Sequence, residues 1–136
     1  MILVDTSVWI GHLGSGNSAL VRVLEAGLVL GHPWVVGELA LGRLVQRHEV
    51  IRLLGSLPQA SIATPEEVMA LIDLHQLPGQ GIGYVDAQLL AATLLTVGAA
   101  LWTFDRALAD AAHRLGRGID PEDVGSRDGG SATEIR

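Results

Sequence analysis

Apolar residues in this chain follow two alternating patterns, which predict strands and helices in turn. Continuous apolar runs of about three or four residues are typical of strands that are buried on both faces of a parallel sheet. Longer segments with apolar residues at helical spacing predict helices that pack on such a sheet. The predicted strands are Ile2–Val4, 28–30, 60–63 and Ala100–Trp102.

The helix boundaries follow from capping residues, glycine and proline. The clearest start is at Thr64, because a threonine cap precedes a proline in the first turn and two acidic residues. Gly27 and Pro58 mark helix ends. The predicted helices cover residues 6–13, 19–26, 34–45, 49–57, 65–75, 86–97 and 105–115.

The alternation of strands and helices predicts an α/β fold with a parallel sheet and right-handed crossovers. A length of 136 residues fits one domain. We expect the folded domain to cover residues 1–116. Residues 117–136 are rich in Gly, Asp, Ser and Arg, which predicts a disordered C-terminal tail, although Ile119 could occupy a short edge strand.

Composition narrows the possible functions. Nine arginines, no lysine and fifteen acids give a net charge of −6, so the chain is not a general nucleic-acid binder. Any polyanionic substrate must be held by local arginines and by metal. The absence of cysteine excludes disulfides and thiolate sites and fits a cytoplasmic protein. The uncharged run 87–104 contains Gln88 and Gly98, which favour a helix, a turn and a strand over a membrane span.

Four carboxylates interrupt or end apolar stretches. Asp5 closes the first strand, Glu38 is the first charge after the second, Asp86 opens the long uncharged run and Asp105 ends it. An unpaired carboxylate in apolar surroundings costs roughly several kcal/mol unless a cation or hydrogen-bond donors meet it. Because the functional crevice of a parallel sheet lies beyond the carboxyl ends of its strands, these residues could converge there. Hard oxygen ligands would then favour Mg²⁺ or Mn²⁺.

Separate structural roles for the four acids remain an alternative. Asp5 and Asp105 could each cap the helix that follows, and Asp86 could be a first-turn acid. Glu38 is harder to explain in this way, because Arg43 is five residues away and off the ideal pairing positions. One shared acidic cluster therefore explains the set better than four unrelated roles.

Rival chemistries lack residues that they need. A zinc site is not indicated, because cysteine is absent and the five histidines are scattered without HExxH-type spacing. A phosphorelay receiver domain and a haloacid-dehalogenase-type phosphatase both require a lysine near the acidic pocket, and this chain has none.

Four segments resemble the motifs of a known family. They are VDTSVWI at 4–10, GELALG at 37–42, GIGYVDAQLLA at 81–91 and LWTFDR at 101–106. In this order and spacing they are similar to the four motifs of PIN-domain ribonucleases, and in particular to the VapC toxins of type II toxin–antitoxin modules. The resemblance covers about residues 1–116.

The resemblance implies a fold, an activity and a site. The fold is a three-layer sandwich with a short four- to five-stranded parallel sheet and helices on both faces. The activity is Mg²⁺- or Mn²⁺-dependent hydrolysis of phosphodiester bonds in transfer or ribosomal RNA by a metal-activated water. Asp5, Glu38, Asp86 and Asp105 would be the metal-binding and catalytic acids, and Thr6, Ser7 and Thr103 would support them.

The resemblance also implies partners, namely a second copy of the chain and a cognate VapB antitoxin. The antitoxin would lay an amphipathic segment over an apolar groove and place a basic side chain at the acidic site. Arg43, Arg47 and Arg106 are candidate phosphate contacts, with ordinary surface arginines as the alternative. Two other functions stay open, a catalytically silent PIN-like binding module and a structure-specific DNA nuclease.

Overall fold

A central strand with one neighbour on each side organises the fold. In the computed structural model, which describes residues 1–121, β1 (Ile2–Val4) pairs in parallel with β2 (Val29–Leu30) and β3 (Ala100–Trp102). The strand order is β2-β1-β3. The parallel pairing and the alternation with helices confirm the predicted α/β class.

The sheet is covered on both faces. Neighbouring residues of a strand point to opposite faces, and Ile2, Leu3 and Val4 are all completely buried. Leu3 is aligned with Leu30 on one side and with Leu101 on the other, and both partners are also buried. Continuous apolar runs therefore identified these strands because both faces must be apolar.

Seven helices accompany the strands within residues 1–121. The capping box predicted at Thr64 is present, with reciprocal hydrogen bonds of 3.1 and 2.8 Å to Glu67. The helices are α1 (Thr6–Ser15), α2 (Ser18–Glu25), α3 (Pro33–Ala40), α4 (Arg47–Ser56), α5 (Pro65–Leu74), α6 (Tyr84–Leu95) and α7 (Arg106–Arg114).

Helix α3 is shorter than the predicted 34–45. It ends at Ala40, where the Arg47 guanidinium donates two hydrogen bonds to the carbonyl oxygen at 3.0 and 3.2 Å. Leu41 and Val45, whose apolar character favoured a longer helix, are 92% and 88% exposed. The prediction was wrong because these side chains do not face the core.

The sheet is also narrower than predicted, since residues 60–63 do not form a strand. Within residues 1–121, a single bridge between Gly31 and Gln59 extends the sheet beyond β2. The backbone then leaves the sheet, because the Ser61 amide donates to the Thr96 hydroxyl at 2.9 Å instead. A Cβ on Gly31 would lie 3.0 Å from the Leu54 carbonyl oxygen and 2.6 Å from the end of the Gln59 side chain, so a larger residue would force both neighbours to shift.

The opposite edge is likewise extended by one bridge, between Leu101 and Gly118. The Leu101 amide donates to the Arg117 carbonyl at 2.7 Å, and the Ile119 amide donates to Leu101 at 3.2 Å. The resulting three-strand sheet replaces the predicted four to five strands within residues 1–121. Most of the tail predicted at 117–136 lies outside the described residues.

The long uncharged run forms α6, a turn and β3, as predicted. Gly98 makes the turn with a φ of 73°, a conformation that glycine adopts without strain. None of the helices in residues 1–121 has the length and apolar character needed to cross a membrane.

Candidate active site

Asp5 lies at the carboxyl end of the central strand, where the topology creates a crevice. From β1 the chain reaches β2 on one side and β3 on the other, and ligands bind at such switch points in parallel sheets. Asp5 is only 5% exposed. It caps helix α1, and its Oδ2 accepts hydrogen bonds from the Ser7 hydroxyl at 2.6 Å and the Thr103 hydroxyl at 2.7 Å.

The two hydroxyl groups tie the ends of β1 and β3 together. Ser7 Oγ accepts from the Phe104 amide at 3.0 Å, and Thr103 Oγ1 accepts from the Asp105 amide at the same distance. The hydrogen bonds that the Asp5 carboxylate accepts within residues 1–121 all go to Oδ2. Its Oδ1 is therefore available to a ligand, while the carboxylate is held in one orientation.

Glu38 and Asp105 lie at the mouth of the crevice and are both exposed. Glu38 is on α3, and its Oε1 accepts a hydrogen bond from the Thr6 hydroxyl at 2.6 Å. Asp105 caps α7 through a hydrogen bond of 2.9 Å from the Leu108 amide to Oδ1. Each carboxylate uses one oxygen in these contacts, so the cap role and a ligand role are compatible.

Asp86, in the first turn of α6, has a pKa that is shifted by the surroundings of the site. Partial burial raises the pKa of this carboxyl above its ordinary value, and the negative charges of Asp5, Asp105 and Glu38 raise it further. A backbone hydrogen bond at Gly83 acts in the opposite direction. Since charge repulsion falls with distance, Asp5, Asp105 and Glu38 lie near enough to Asp86 to act on its carboxyl.

The degree of burial differs from the sequence expectation of four acids in apolar surroundings. Only Asp5 is buried, and its hydrogen bonds compensate much of the cost of desolvation. Asp86 is half-buried, whereas Glu38 and Asp105 reach solvent. At Asp86, partial burial is the main cause of the raised pKa, and repulsion by Asp5, Asp105 and Glu38 adds to it.

A hydrated divalent ion fits this set of ligands. Within residues 1–121, no three Asp, Glu or His side chains form a group that could hold an ion directly. Mg²⁺ normally keeps several waters and binds through one or two carboxylates. Here the four carboxylates act on one another electrostatically, and two hydroxyl groups fix the orientation of one of them, Asp5. They can therefore bind a hydrated ion without surrounding it completely.

Comparison with known proteins identifies the family. No family model matches the chain. Ribonuclease VapC32 from each of two strains of Mycobacterium tuberculosis is 46% identical over 125 residues, which cover 90% of this chain and 98% of the relative. The chain belongs to the VapC family of PIN-domain ribonucleases. The family resemblance carried by the four sequence motifs is thereby confirmed.

The three arginines that the sequence singled out occupy different positions in this VapC fold. Arg106 is the first residue of α7, next to Asp105, and it is exposed. Arg43 lines an open cavity together with Glu38. Arg47 binds the C-terminal carbonyl of α3, so two of its donors are already engaged.

Sequence reasoning missed two aromatic residues beside the acids. Trp34 on α3 and Tyr84 on α6 form an edge-to-face pair with ring centroids 6.3 Å apart. Neither residue stands out in the sequence, because a sequence does not distinguish a buried aromatic ring from an exposed one. The two residues are far apart in the chain, so only the folded structure brings them together.

Replacing Thr103 by valine is expected to lower the activity of this VapC-family protein by about ten- to a hundredfold, while Thr103→Ser keeps most of it. Valine removes the hydroxyl that orients Asp5 and accepts from the Asp105 amide, and loss of such supporting contacts typically has an effect of this size. Steady-state cleavage rates of the two variants provide the measurement. Equal activity of both variants would contradict the positioning role of Thr103.

Proposed function

We propose that this chain is the toxin of a type II toxin–antitoxin module and an endoribonuclease that depends on Mg²⁺ or Mn²⁺. The observation that carries the proposal is the pKa of Asp86, which partial burial raises and the negative charges of Asp5, Asp105 and Glu38 raise further. A cation at this point would relieve their repulsion. Membership in the VapC family supports the same conclusion independently.

Asp5 and Asp86 are proposed as the most direct ligands, with Glu38 and Asp105 binding directly or through water. When bound, a divalent ion lowers the pKa of water and stabilises the charge of an in-line phosphoryl displacement. The free Oδ1 of Asp5 suits this assignment, since Oδ2 is occupied by two hydroxyl donors.

The remaining residues of the site orient the acids. Ser7 and Thr103 fix Asp5, and Thr6 fixes Glu38 through its hydroxyl. Asp105 can bind the ion or its water with its second oxygen, because its first is held by the Leu108 amide. The RNA phosphodiester would enter from the exposed side, where Glu38 and Asp105 lie.

Arg43 and Arg106 are the proposed phosphate contacts. Both are exposed, and each lies beside one of the four acids. Arg43 lines a cavity together with Glu38, and Arg106 follows Asp105 in the chain. Because the protein carries a net charge of −6, local guanidinium groups are needed to hold a polyanion. Arg47 is assigned mainly to the end of α3.

The proposed partners are an RNA, either transfer or ribosomal, a second copy of the chain and a VapB-type antitoxin. A cavity of about 520 Å³ between α1 and the end of α3 is suited to an amphipathic antitoxin segment. Its lining includes the exposed apolar residues Ile10 and Val45, with Glu38 at the acidic site. A PIN-like three-layer domain at residues 1–116 belongs to the same proposal.

An RNA cleavage assay with paired variants tests this function. Asp105→Asn should reduce cleavage strongly, whereas Asp110→Asn, an exposed acid on the same helix, should leave it unchanged. Chelation by EDTA should stop cleavage, and added Mg²⁺ or Mn²⁺ should restore it. Undiminished cleavage in EDTA would refute the metal dependence, and preferential cleavage of DNA would favour the DNA nuclease.

A further inference from the structure

The Trp34–Tyr84 pair leaves aromatic surface open beside the acidic site. Trp34 is 40% exposed and Tyr84 is 44% exposed, and their ring planes meet at 71°. Edge-to-face packing of this kind is favourable and holds each ring in place. The Gln88 side chain, which is only 3% exposed, donates a hydrogen bond of 3.2 Å to the Tyr84 hydroxyl and restrains the second ring further.

Trp34 adjoins Glu38, one of the four acids. Trp34 lines an open cavity of about 490 Å³ together with Glu38 and Val85. Val85 lies between Tyr84 and Asp86 in the first turn of α6. A ligand whose phosphate lies beside Glu38 would therefore have its adjoining group next to the Trp34 ring.

The acidic character of the protein favours a contact with RNA beside the site that does not depend on charge. The chain has no lysine and a net charge of −6, so cationic contacts to RNA are limited to a few arginines and a bound metal ion. Proteins that recognise single-stranded RNA stack bases on exposed aromatic side chains, and this interaction does not require positive charge. Exposed aromatic rings beside a phosphodiesterase site are well placed for that contact.

We propose that Trp34 and Tyr84 form a stacking subsite for a base of the RNA that adjoins the cleaved phosphodiester. The proposal rests on the proposed ribonuclease function, because it assumes that RNA occupies the acidic site. Trp34 supplies the larger stacking surface, and Tyr84 and Gln88 hold it against the cavity. The subsite selects unpaired bases, since a base within a duplex cannot reach the rings.

Binding of single-stranded RNA by Trp34 variants tests the subsite. The full chain with Asp5→Asn serves as a non-cleaving background in Mg²⁺, and labelled oligoadenylate and oligouridylate of about 12 nucleotides serve as probes, a length that one binding domain can cover. Trp34→Leu keeps an apolar side chain without a ring and should weaken binding about tenfold or more. Trp34→Phe keeps a ring and should stay within about threefold of the background. Circular dichroism of both variants checks the fold.

Tryptophan fluorescence gives a second readout from the same titration. Trp9 and Trp102 are 2% and 3% exposed, so Trp34 is the tryptophan that a base can reach among the three in the chain. RNA should quench the emission of the background protein, and Trp34→Phe should abolish this change while retaining affinity. An oligonucleotide of the same length with abasic sites should bind more weakly and quench less.

Several results would overturn the subsite. Equal affinity of Trp34→Leu and the background, equal binding of abasic RNA, or absence of quenching would each do so. Loss of binding to a co-expressed antitoxin with unchanged RNA affinity would assign the rings to protein docking and also overturn it. Cleavage by the parent chain is measured separately, so the ribonuclease function can stand if the subsite fails.

Discussion

Replacing Asp5 by asparagine is expected to abolish RNA cleavage while the fold survives. The substitution removes the charge at the centre of the proposed metal site but keeps an oxygen that can accept from Ser7 and Thr103. A bound metal ion contributes several kcal/mol of transition-state stabilisation, so the cleavage rate should fall about a thousandfold or more. Initial rates of cleavage in saturating Mg²⁺, compared with the parent chain, measure this effect.

The control for this substitution separates chemistry from folding. Loss of charge-assisted hydrogen bonds at Asp5 should cost about 1–3 kcal/mol, which a domain of this kind tolerates. Circular dichroism should therefore show a native spectrum and cooperative melting. Asp110→Asn, on the surface of α7, should match the parent in both rate and stability. A fully active Asp5→Asn protein would refute the role of Asp5.

Replacing Asp86 by asparagine is expected to stabilise the metal-free protein at neutral pH and to destroy its activity. Burial and the charges of Asp5, Asp105 and Glu38 raise the pKa of Asp86 in the folded state. Ionisation of this carboxyl is therefore easier in the unfolded chain than in the folded one. The neutral amide avoids that cost, so thermal melting without metal should shift upward by a few degrees.

The stability difference between Asp86→Asn and the parent chain should depend on pH. A carboxyl with a raised folded-state pKa favours folding fully below its ordinary pKa of 3.8, and the benefit is lost as the pH rises through the folded-state value. The advantage of Asp86→Asn should thus be largest at neutral pH and vanish in acid. A variant that is equally stable or less stable at neutral pH would contradict the proposed effect of burial and charge repulsion on Asp86.

Metal should reverse the order of stability. Mg²⁺ at about a hundred times its dissociation constant stabilises a folded protein by about 2.7 kcal/mol. The parent should therefore gain melting temperature on addition of Mg²⁺, and Asp86→Asn should gain much less. Calorimetric scans with and without Mg²⁺ compare the two proteins. Equal gains would show that Asp86 does not contribute to metal binding.

The central part of the fold could be predicted from the sequence because its rules are local. Continuous apolar runs identify β1 and β3, since a strand covered on both faces must be apolar throughout. The edges could not be predicted in this way. Whether residues 60–63 pair depends on β2, which is only two residues long, and on a hydrogen bond to Thr96 that lies far along the chain.

The candidate site could be predicted from the positions of its acids in the chain, but the surroundings of these acids could not. Asp5 and Asp105 follow strands, and parallel pairing brings them to one edge of the sheet. Sequence reasoning treated helix capping and ligand binding as alternatives, whereas both carboxylates cap a helix and keep one oxygen available. Solvent exposure of Glu38 and the contact between Trp34 and Tyr84 depend on tertiary packing.

Binding of Mn²⁺, followed by electron paramagnetic resonance, tests most directly whether the acids form one metal site. The parent chain should take up Mn²⁺ with saturable stoichiometry, and Mg²⁺ should compete for it. Asp5→Asn and Asp86→Asn should each abolish the bound signal, whereas Asp110→Asn should retain it. Unchanged Mn²⁺ uptake by both active-site variants, or no uptake by the parent chain, would contradict the account.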